Sequence, residues 1–175
     1  MPAKFELGTY FDLRFTAGRS VLIGLVTVWA ITGVWALALL RIPFLEAFLG
    51  GLICAVGHVL MEVFHQFGHA WAARRTGYPM KGVHLWWLLG RSIYPSNEGD
   101  LPGSTHIRRA LGGPLASALL SIALALLALL FRPWDMSPGW ILAFLFLDSL
   151  LVFTVGALLP LGFTDGSTLL KWWGK

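Results

Sequence analysis

Four long runs of apolar residues dominate the chain, at about 20–40, 43–64, 110–131 and 139–160, and the third run belongs to a helix predicted over about 107–131. Each run is long enough to cross the hydrocarbon core of a bilayer as an α-helix, which takes about 20 residues. The second helix is predicted to continue beyond the membrane edge, over about 43–75, and to end before Thr76-Gly77-Tyr78-Pro79. The pattern therefore predicts an all-α membrane protein, built as a bundle of about four transmembrane helices.

The segments around these runs have other patterns. Apolar and polar positions roughly alternate in residues 1–19, which is typical of a short strand or an interfacial lead-in. Residues 76–106 join the second and third helices as a cytoplasmic connection, and their apolar centre predicts a short strand pair or a flap against the membrane. Residues 161–175 follow the fourth helix as a turn and tail. We predict a single membrane domain over residues 1–175.

Composition and charge agree with a membrane environment. The chain is 57% hydrophobic and 13% charged, with a mean hydropathy of +0.71, which excludes an ordinary soluble domain. Of its 13 lysines and arginines, only Arg41 and Arg132 fall on the outer side if the N-terminus is cytoplasmic. This bias predicts a multi-pass protein of the cell membrane with both termini in the cytoplasm. The basic residues are expected to contact the lipid bilayer, and no basic stripe indicates nucleic acid binding.

Candidate chemistry is concentrated near the end of the second helix, in the segment Phe64-His65-Gln66-Phe67-Gly68-His69. Two histidines four residues apart lie on one helix face about 6 Å apart, so both imidazoles can reach one metal ion. The spacing is that of the zinc motif H-E-x-x-H, whose glutamate takes a proton from water. Gln66 stands in place of that glutamate, and a neutral amide cannot accept the proton.

A carboxylate is predicted to join the two histidines. Asp165 follows the fourth helix, and in the four-helix topology it lies on the same side of the membrane as His65 and His69. Two histidines and one carboxylate leave a fourth zinc position open, as in catalytic rather than structural zinc sites. The sequence therefore predicts a zinc site near the cytoplasmic side.

The second helix also carries a continuous polar stripe, which consists of His58, Glu62, His65 and His69. Such a stripe is expected to face a protein interior, because ionisable groups are expensive against lipid. Glu62 lies one helical turn before the exchanged Gln66. It is a candidate either to replace the missing base or to orient a histidine.

Three sequence blocks occur in order along the chain: His65-x-x-x-His69 with Gly68, Gly113-Pro114-Leu115-Ala116, and Leu159-Pro160 through Asp165-Gly166. Together they resemble the site-2 protease family of intramembrane zinc metalloproteases, and the segment from Leu7 to Ser20 is similar to the family's N-terminal lead-in. The resemblance implies that the two histidines and Asp165 are zinc ligands. It also implies hydrolysis of peptide bonds in membrane proteins or peptides, which are the expected substrates.

The departures from the family pattern are concentrated around the site. Gln66 replaces the general base, Ser117 and Ala157 stand where the family often has asparagine, and Gly162-Phe163 replaces a proline-rich turn. Loss of a general base typically costs about 10²–10⁴-fold in rate, so catalysis is expected to be impaired or lost. An active metallopeptidase and an inactive pseudoprotease that binds membrane segments both remain open.

Two further classes of function are considered. A haem or electron-carrier subunit would use histidines on opposing helices, whereas the histidines of the polar stripe all lie on one helix. A structural membrane subunit without a metal would tolerate replacement of the three candidate ligands. His58, His84 and His106 are interpreted as interfacial or hydrogen-bonding residues, and Asp148 as either a functional acid or a structural partner.

Overall fold

The computed structural model describes residues 4–131 and 139–175. Its helices are α1 (Ser20–Ala38), α2 (Phe44–Arg75), α3 (Gly103–Phe131), α4 (Gly139–Gly156) and α5 (Asp165–Trp172). Its strands are β1 (Lys4–Tyr10), β2 (Leu13–Gly18), β3 (Gly82–Trp86) and β4 (Leu89–Ile93). The second half of α4, Ser149–Gly156, is π-helical. Arg132, one of the two basic residues predicted on the outer side, lies outside the described residues.

Helices α1 to α4 are each long and apolar enough to cross a membrane. Even the shortest, α4, has 18 residues and spans about 27 Å. Large apolar side chains such as Leu22, Leu60 and Leu119 are exposed on their outer faces, as suits a bundle covered by lipid. The prediction of four helices long and apolar enough to span a membrane is confirmed.

The prediction of an all-α protein is wrong in one respect, because the structure contains a four-stranded sheet of order β1-β2-β3-β4. β1 and β2 form one antiparallel hairpin, β3 and β4 form another, and β2 pairs in parallel with β3. The alternating lead-in therefore belongs to the same sheet as the connection between α2 and α3. This pairing joins Arg14 to Gly82, which are far apart in the chain, so no local pattern indicates it.

One face of the sheet packs on the C-terminal part of α2. Buried and exposed residues alternate along β2, as expected of a strand with one packed face. The buried cluster beneath the sheet consists of Leu13, Phe15, Ala17, Ala70, Ala73, Met80, Val83 and Leu85. The sheet thus fixes the part of α2 that carries the candidate histidines.

Helices α2 and α3 pack closely because each has a glycine at the contact. A Cβ on Gly68 would overlap the carbonyl oxygen of Gly112, and a Cβ on Gly112 would overlap the carbonyl oxygen of Gly68. Ala72 and Ala116 lie beside the same contact. Small residues in both helices let the backbones approach one another, which brings α3 up to the histidine pair.

Residues 161–175, predicted as a turn and tail, contain the helix α5, which packs on α3. The ring of Trp172 stacks on the ring of His106 in α3, with the two centroids 4.2 Å apart. Helix α3 itself begins at Gly103, earlier than the predicted start at about residue 107. The sequence alone did not indicate α5, because this helix is short and its packing partner lies far away in the chain.

We expect Gly112→Ala to lower the melting temperature of the detergent-purified protein, because the added Cβ would overlap the α2 backbone. Overpacking of this kind costs about 1–3 kcal/mol. Gly33→Ala is the matched control in a spanning helix, since its Cβ would lie 3.4 Å from the carbonyl oxygen of Ala47, an ordinary contact. An unchanged melting temperature for Gly112→Ala would contradict the close approach of α2 and α3.

Candidate metal centre

His65 and His69 lie on successive turns of α2, and each is only 5% exposed. Their Nε2 atoms are 3.0 Å apart, and the two rings are nearly perpendicular. The four-residue spacing places both side chains on the helix face that contacts α3. The predicted histidine pair is thus present as two converging nitrogens.

Asp165, the first residue of α5, lies beside this pair. Its Oδ2 is 3.3 Å from Nε2 of each histidine, and the three possible ligand atoms all lie within 4.8 Å of one another. The turn before Asp165 is held by the hydroxyl of Thr164, which donates to the carbonyl of Leu159 and accepts from the backbone N–H of Leu161. Gly162 has a φ of +90° in this turn, a conformation that favours glycine.

The other ring nitrogen of each histidine is engaged outside the group. Nδ1 of His69 lies 2.7 Å from the carbonyl oxygen of Arg109, which can only accept, so this Nδ1 carries the hydrogen. Nδ1 of His65 lies 3.0 Å from the hydroxyl of Ser117. A neutral imidazole protonated at Nδ1 has its lone pair at Nε2. Nε2 of His69, which faces Asp165 and His65, is therefore the ring nitrogen left for a metal ion, an arrangement typical of metal-bound histidines.

The spacing of the three donor atoms fits a tetrahedral metal ion. Ligands about 2.0–2.1 Å from zinc lie about 3.3 Å apart at tetrahedral angles. The three donor pairs here are 3.0, 3.3 and 3.3 Å apart. Gly113 of α3 faces the group, and a Cβ there would overlap Nε2 of both histidines. The glycine leaves the space that a bound ion requires.

The electrostatics of the group keep the carboxylate ionised. Burial raises the pKa of Asp165, but hydrogen bonds with the two histidines outweigh burial and leave this pKa below its ordinary value. An ionised carboxylate is the form that binds a metal. The carboxylate therefore has the charge that a zinc ligand needs, and binding of a metal would release the hydrogens that the two Nε2 atoms share with the carboxylate.

Gln66, predicted as a site residue together with Glu62, is held by two side chains. Its Nε2 donates to Oε1 of Glu62 at 2.8 Å, and its Oε1 accepts from the hydroxyl of Ser92 in β4 at 2.8 Å. Gln66 and Glu62 are 3% and 4% exposed, and Gly90 of β4 packs directly on both. Both ends of the Gln66 amide are therefore engaged, and the two residues form one hydrogen-bonded unit.

A cavity of about 840 Å³ opens beside these groups. Its walls come from α2, β4, the first turns of α3, the π-helical half of α4, and α5. The histidine pair, Asp165, Glu62 and Gln66 all line it. A space of this size accommodates a small ligand or a short peptide segment.

Arg109 is a residue of this cavity that the sequence indicated only as a topology anchor. Its guanidinium pairs with both carboxylate oxygens of Glu98, at 2.6 and 3.0 Å, donates to the carbonyl of Tyr78, and lies 4.2 Å from the ring centroid of Tyr94. The hydrogen bonds from Arg109 lower the pKa of Glu98, and burial raises the pKa of Tyr94 to about 12. Arg109 thus ties the segment after β4 to α3, while its backbone carbonyl holds His69.

The other predicted positions lie around the group rather than in it. His58 contacts an aspartate of α4, His84 a threonine of β2, and His106 a tryptophan of α5. Among the departures from the family pattern, Ser117 contacts His65 directly, while Ala157 lines the cavity without a polar group. Ser92 and Gly90 were not predicted as site residues, because local sequence spacing does not indicate that β4 packs on α2.

Comparison with solved structures shows that the fold is similar to that of the site-2 protease from Methanocaldococcus jannaschii. The TM-score is 0.67 and the sequence identity is 15%, and the match covers 97% of this chain and 70% of that chain. At this identity the likeness establishes the fold alone. No family model matches the chain, and no curated protein matches it in sequence. The resemblance read from the sequence is thus supported at the level of the fold.

We expect Gly113→Ala to abolish metal binding at this group, because the methyl group would fill the space next to both Nε2 atoms. The measurement is the visible absorption of protein titrated with Co²⁺, whose spectrum reports tetrahedral coordination. Gly99→Ala is the control, since its Cβ would meet nothing within 4 Å. A Co²⁺ spectrum retained in Gly113→Ala would show that the ion binds elsewhere.

Proposed function

We propose that this chain is a site-2-protease-like membrane zinc metallopeptidase homologue whose catalysis is impaired or lost. The observation that carries the proposal is the convergence of His65 Nε2, His69 Nε2 and Asp165 Oδ2, no more than 3.3 Å apart, beside a large cavity. The likeness to the fold of a site-2 protease supports it.

The three converging side chains are the residues that would hold zinc. Zinc with three protein ligands keeps a fourth position open, lowers the pKa of water there to about 7 and polarises a carbonyl oxygen. The backbone carbonyl of Arg109 and the hydroxyl of Ser117 orient the two imidazoles, and Gly113 keeps the space between α3 and the rings clear. These are positioning roles, and they explain why polar groups of α3 face α2 at this depth.

Gln66 is the reason for proposing weak or absent hydrolysis. Its amide can donate and accept hydrogen bonds, but it cannot take a proton from water at neutral pH. Its oxygen accepts from Ser92 and its nitrogen donates to Glu62, so both ends are already engaged. Without a base at this position, a rate lower by about 10²–10⁴-fold is expected.

Glu62 offers a second version of the proposal, in which some hydrolysis is kept. Its carboxylate is buried, lines the same cavity and lies one helical turn from Gln66. In this version Glu62 accepts the proton that Gln66 cannot accept. In the first version the carboxylate only orients the amide of Gln66.

The proposed substrates are membrane proteins or peptides with a segment in or next to the bilayer. The cavity lies among helices whose outer faces suit lipid, which supports a substrate approaching from the membrane. The strong charge bias of the loops supports a cell-membrane protein with both termini in the cytoplasm. If hydrolysis is absent, the same cavity supports the alternative, an inactive protein that binds membrane segments.

We expect the detergent-purified chain to contain about one zinc ion, as measured by inductively coupled plasma mass spectrometry. His69→Ala and Asp165→Ala are each expected to lose most of this zinc, because two remaining donors bind it weakly. His84→Ala is the matched control, since His84 contacts Thr16 and lies in the sheet. If the unaltered chain holds no zinc even after reloading, a membrane binding or structural protein is the better interpretation.

Exchanging the two residues of the hydrogen-bonded unit, Glu62→Gln with Gln66→Glu, is expected to raise peptide hydrolysis by about 10²–10⁴-fold. The double variant keeps one carboxylate and one amide in contact, so it avoids placing two buried carboxylates together. Hydrolysis is measured with fluorescein-labelled casein and with a fluorogenic peptide that has an apolar centre.

The single variant Glu62→Gln separates the two versions of the proposal. Loss of any hydrolysis seen in the unaltered chain would identify Glu62 as the proton acceptor. Unchanged hydrolysis would leave it only an orienting role. A zinc-loaded exchange variant that hydrolyses neither probe would count against a peptidase and favour a binding function.

A further inference from the structure

A second buried ionisable pair lies away from the candidate metal centre. Nδ1 of His58 in α2 is 2.8 Å from Oδ2 of Asp148 in α4, and the side chains are 6% and 7% exposed. Ionisable groups at this depth are costly unless they are paired, and those that persist usually serve a function. Neither residue lines the cavity, so the proposed zinc chemistry does not account for the pair.

His58 also reaches a third element. Its Nε2 lies 2.8 Å from the backbone carbonyl oxygen of Leu88, in the turn between β3 and β4. A carbonyl can only accept, so Nε2 carries a hydrogen and donates it to this turn. The imidazole thus connects Asp148 on one side to the hairpin on the other.

The turn itself has an unfavourable sequence. Trp86 pairs with Leu89, so Trp87 and Leu88 form a two-residue turn, and Trp87 has a φ of +50°. Two-residue turns with a positive φ at the first position strongly favour glycine there. A tryptophan at this position means that contacts from outside must stabilise the turn.

Those contacts come from two spanning helices. The hydroxyl of Ser20 in α1 accepts from the backbone N–H of Trp87 at 3.1 Å. Gly24, one turn further along α1, has no side chain, and a Cβ there would overlap the carbonyl oxygen of Trp87. The turn is therefore enclosed by α1, while His58 reaches it from α2.

The hairpin carries one wall of the cavity. Gly90 of β4 packs on the pair formed by Glu62 and Gln66, and Ser92 donates to Gln66. The turn and this wall are only two to four residues apart along β4. The position of the turn therefore sets the position of the strand that faces the cavity.

We propose that His58 and Asp148 form a latch that holds the β3–β4 turn against α2 and thereby positions β4 over the cavity. The two residues are positioning residues, which act through the hairpin rather than on a substrate. The latch operates whether or not zinc is bound, so it stands independently of the proposed function.

Two substitutions at His58 distinguish the hydrogen bond to the turn from van der Waals packing of the side chain. The amide of glutamine reaches the place of Nε2 and can still donate to the carbonyl of Leu88, whereas the shorter asparagine matches Nδ1 and cannot. In His58→Asn, hydrogen exchange of the amides in residues 82–93 is expected to become about tenfold faster, the factor for one lost hydrogen bond. In His58→Gln it is expected to stay within about twofold of the unaltered chain.

Exchange of residues 82–93 is compared with that of residues 44–57 of α2 in the same sample, so that a general loss of stability is separated from a loose hairpin. Equal acceleration in both variants, or none in either, would overturn the latch. Zinc content is measured on the same samples, and its absence would count against the proposed function without affecting this result.

If the His58 variants do not fold, Asp148 provides the same test. The amide of Asp148→Asn can donate to Nδ1 and keep Nε2 on the turn, whereas Asp148→Leu removes this partner. Exchange of residues 82–93 is expected to be about tenfold faster in Asp148→Leu and unchanged in Asp148→Asn. Similar exchange in both would overturn the proposal.

Discussion

Every polar side chain buried in this apolar bundle needs a partner, and the polar face of α2 shows how that need organises the structure. The other elements supply the partners: α4 contributes a carboxylate to His58, β4 a hydroxyl to Gln66, and α3 a hydroxyl and a carbonyl to the histidine pair. The glycines of α3 let that helix come close enough to do so. The polar stripe of α2 is thus satisfied by partners from three other elements, α3, α4 and β4.

The sequence predicted the parts of this arrangement that depend on local periodicity. Four apolar runs predicted the spanning helices, and the four-residue spacing predicted that His65 and His69 point to one place. Asp165 was placed beside them because the predicted topology puts both helix ends on one side of the membrane, and the structure brings these three residues together. Their role as ligands stays a prediction.

The parts that the sequence did not predict depend on contacts between distant residues. The pairing of β2 with β3 and the ion pair of Arg109 with Glu98 have no local signature, and neither does the contact of Ser92 with Gln66. The all-α prediction missed the four-stranded sheet for this reason, since a single strand in isolation has the same alternating pattern as an interfacial segment. Tertiary packing determines the side-chain partners of buried polar groups, and the periodicity of apolar residues carries no information about it.

The parallel pairing of β2 with β3 has a consequence for biosynthesis. The two strands flank α1 and α2 in the chain, so the sheet can close only after both helices have been synthesised and have returned the chain to the end where β2 lies. Until then the N-terminal hairpin emerges from the ribosome with an unpaired edge on β2. Completion of the sheet therefore requires α1 and α2 to form an antiparallel pair that brings β2 and β3 to the same end.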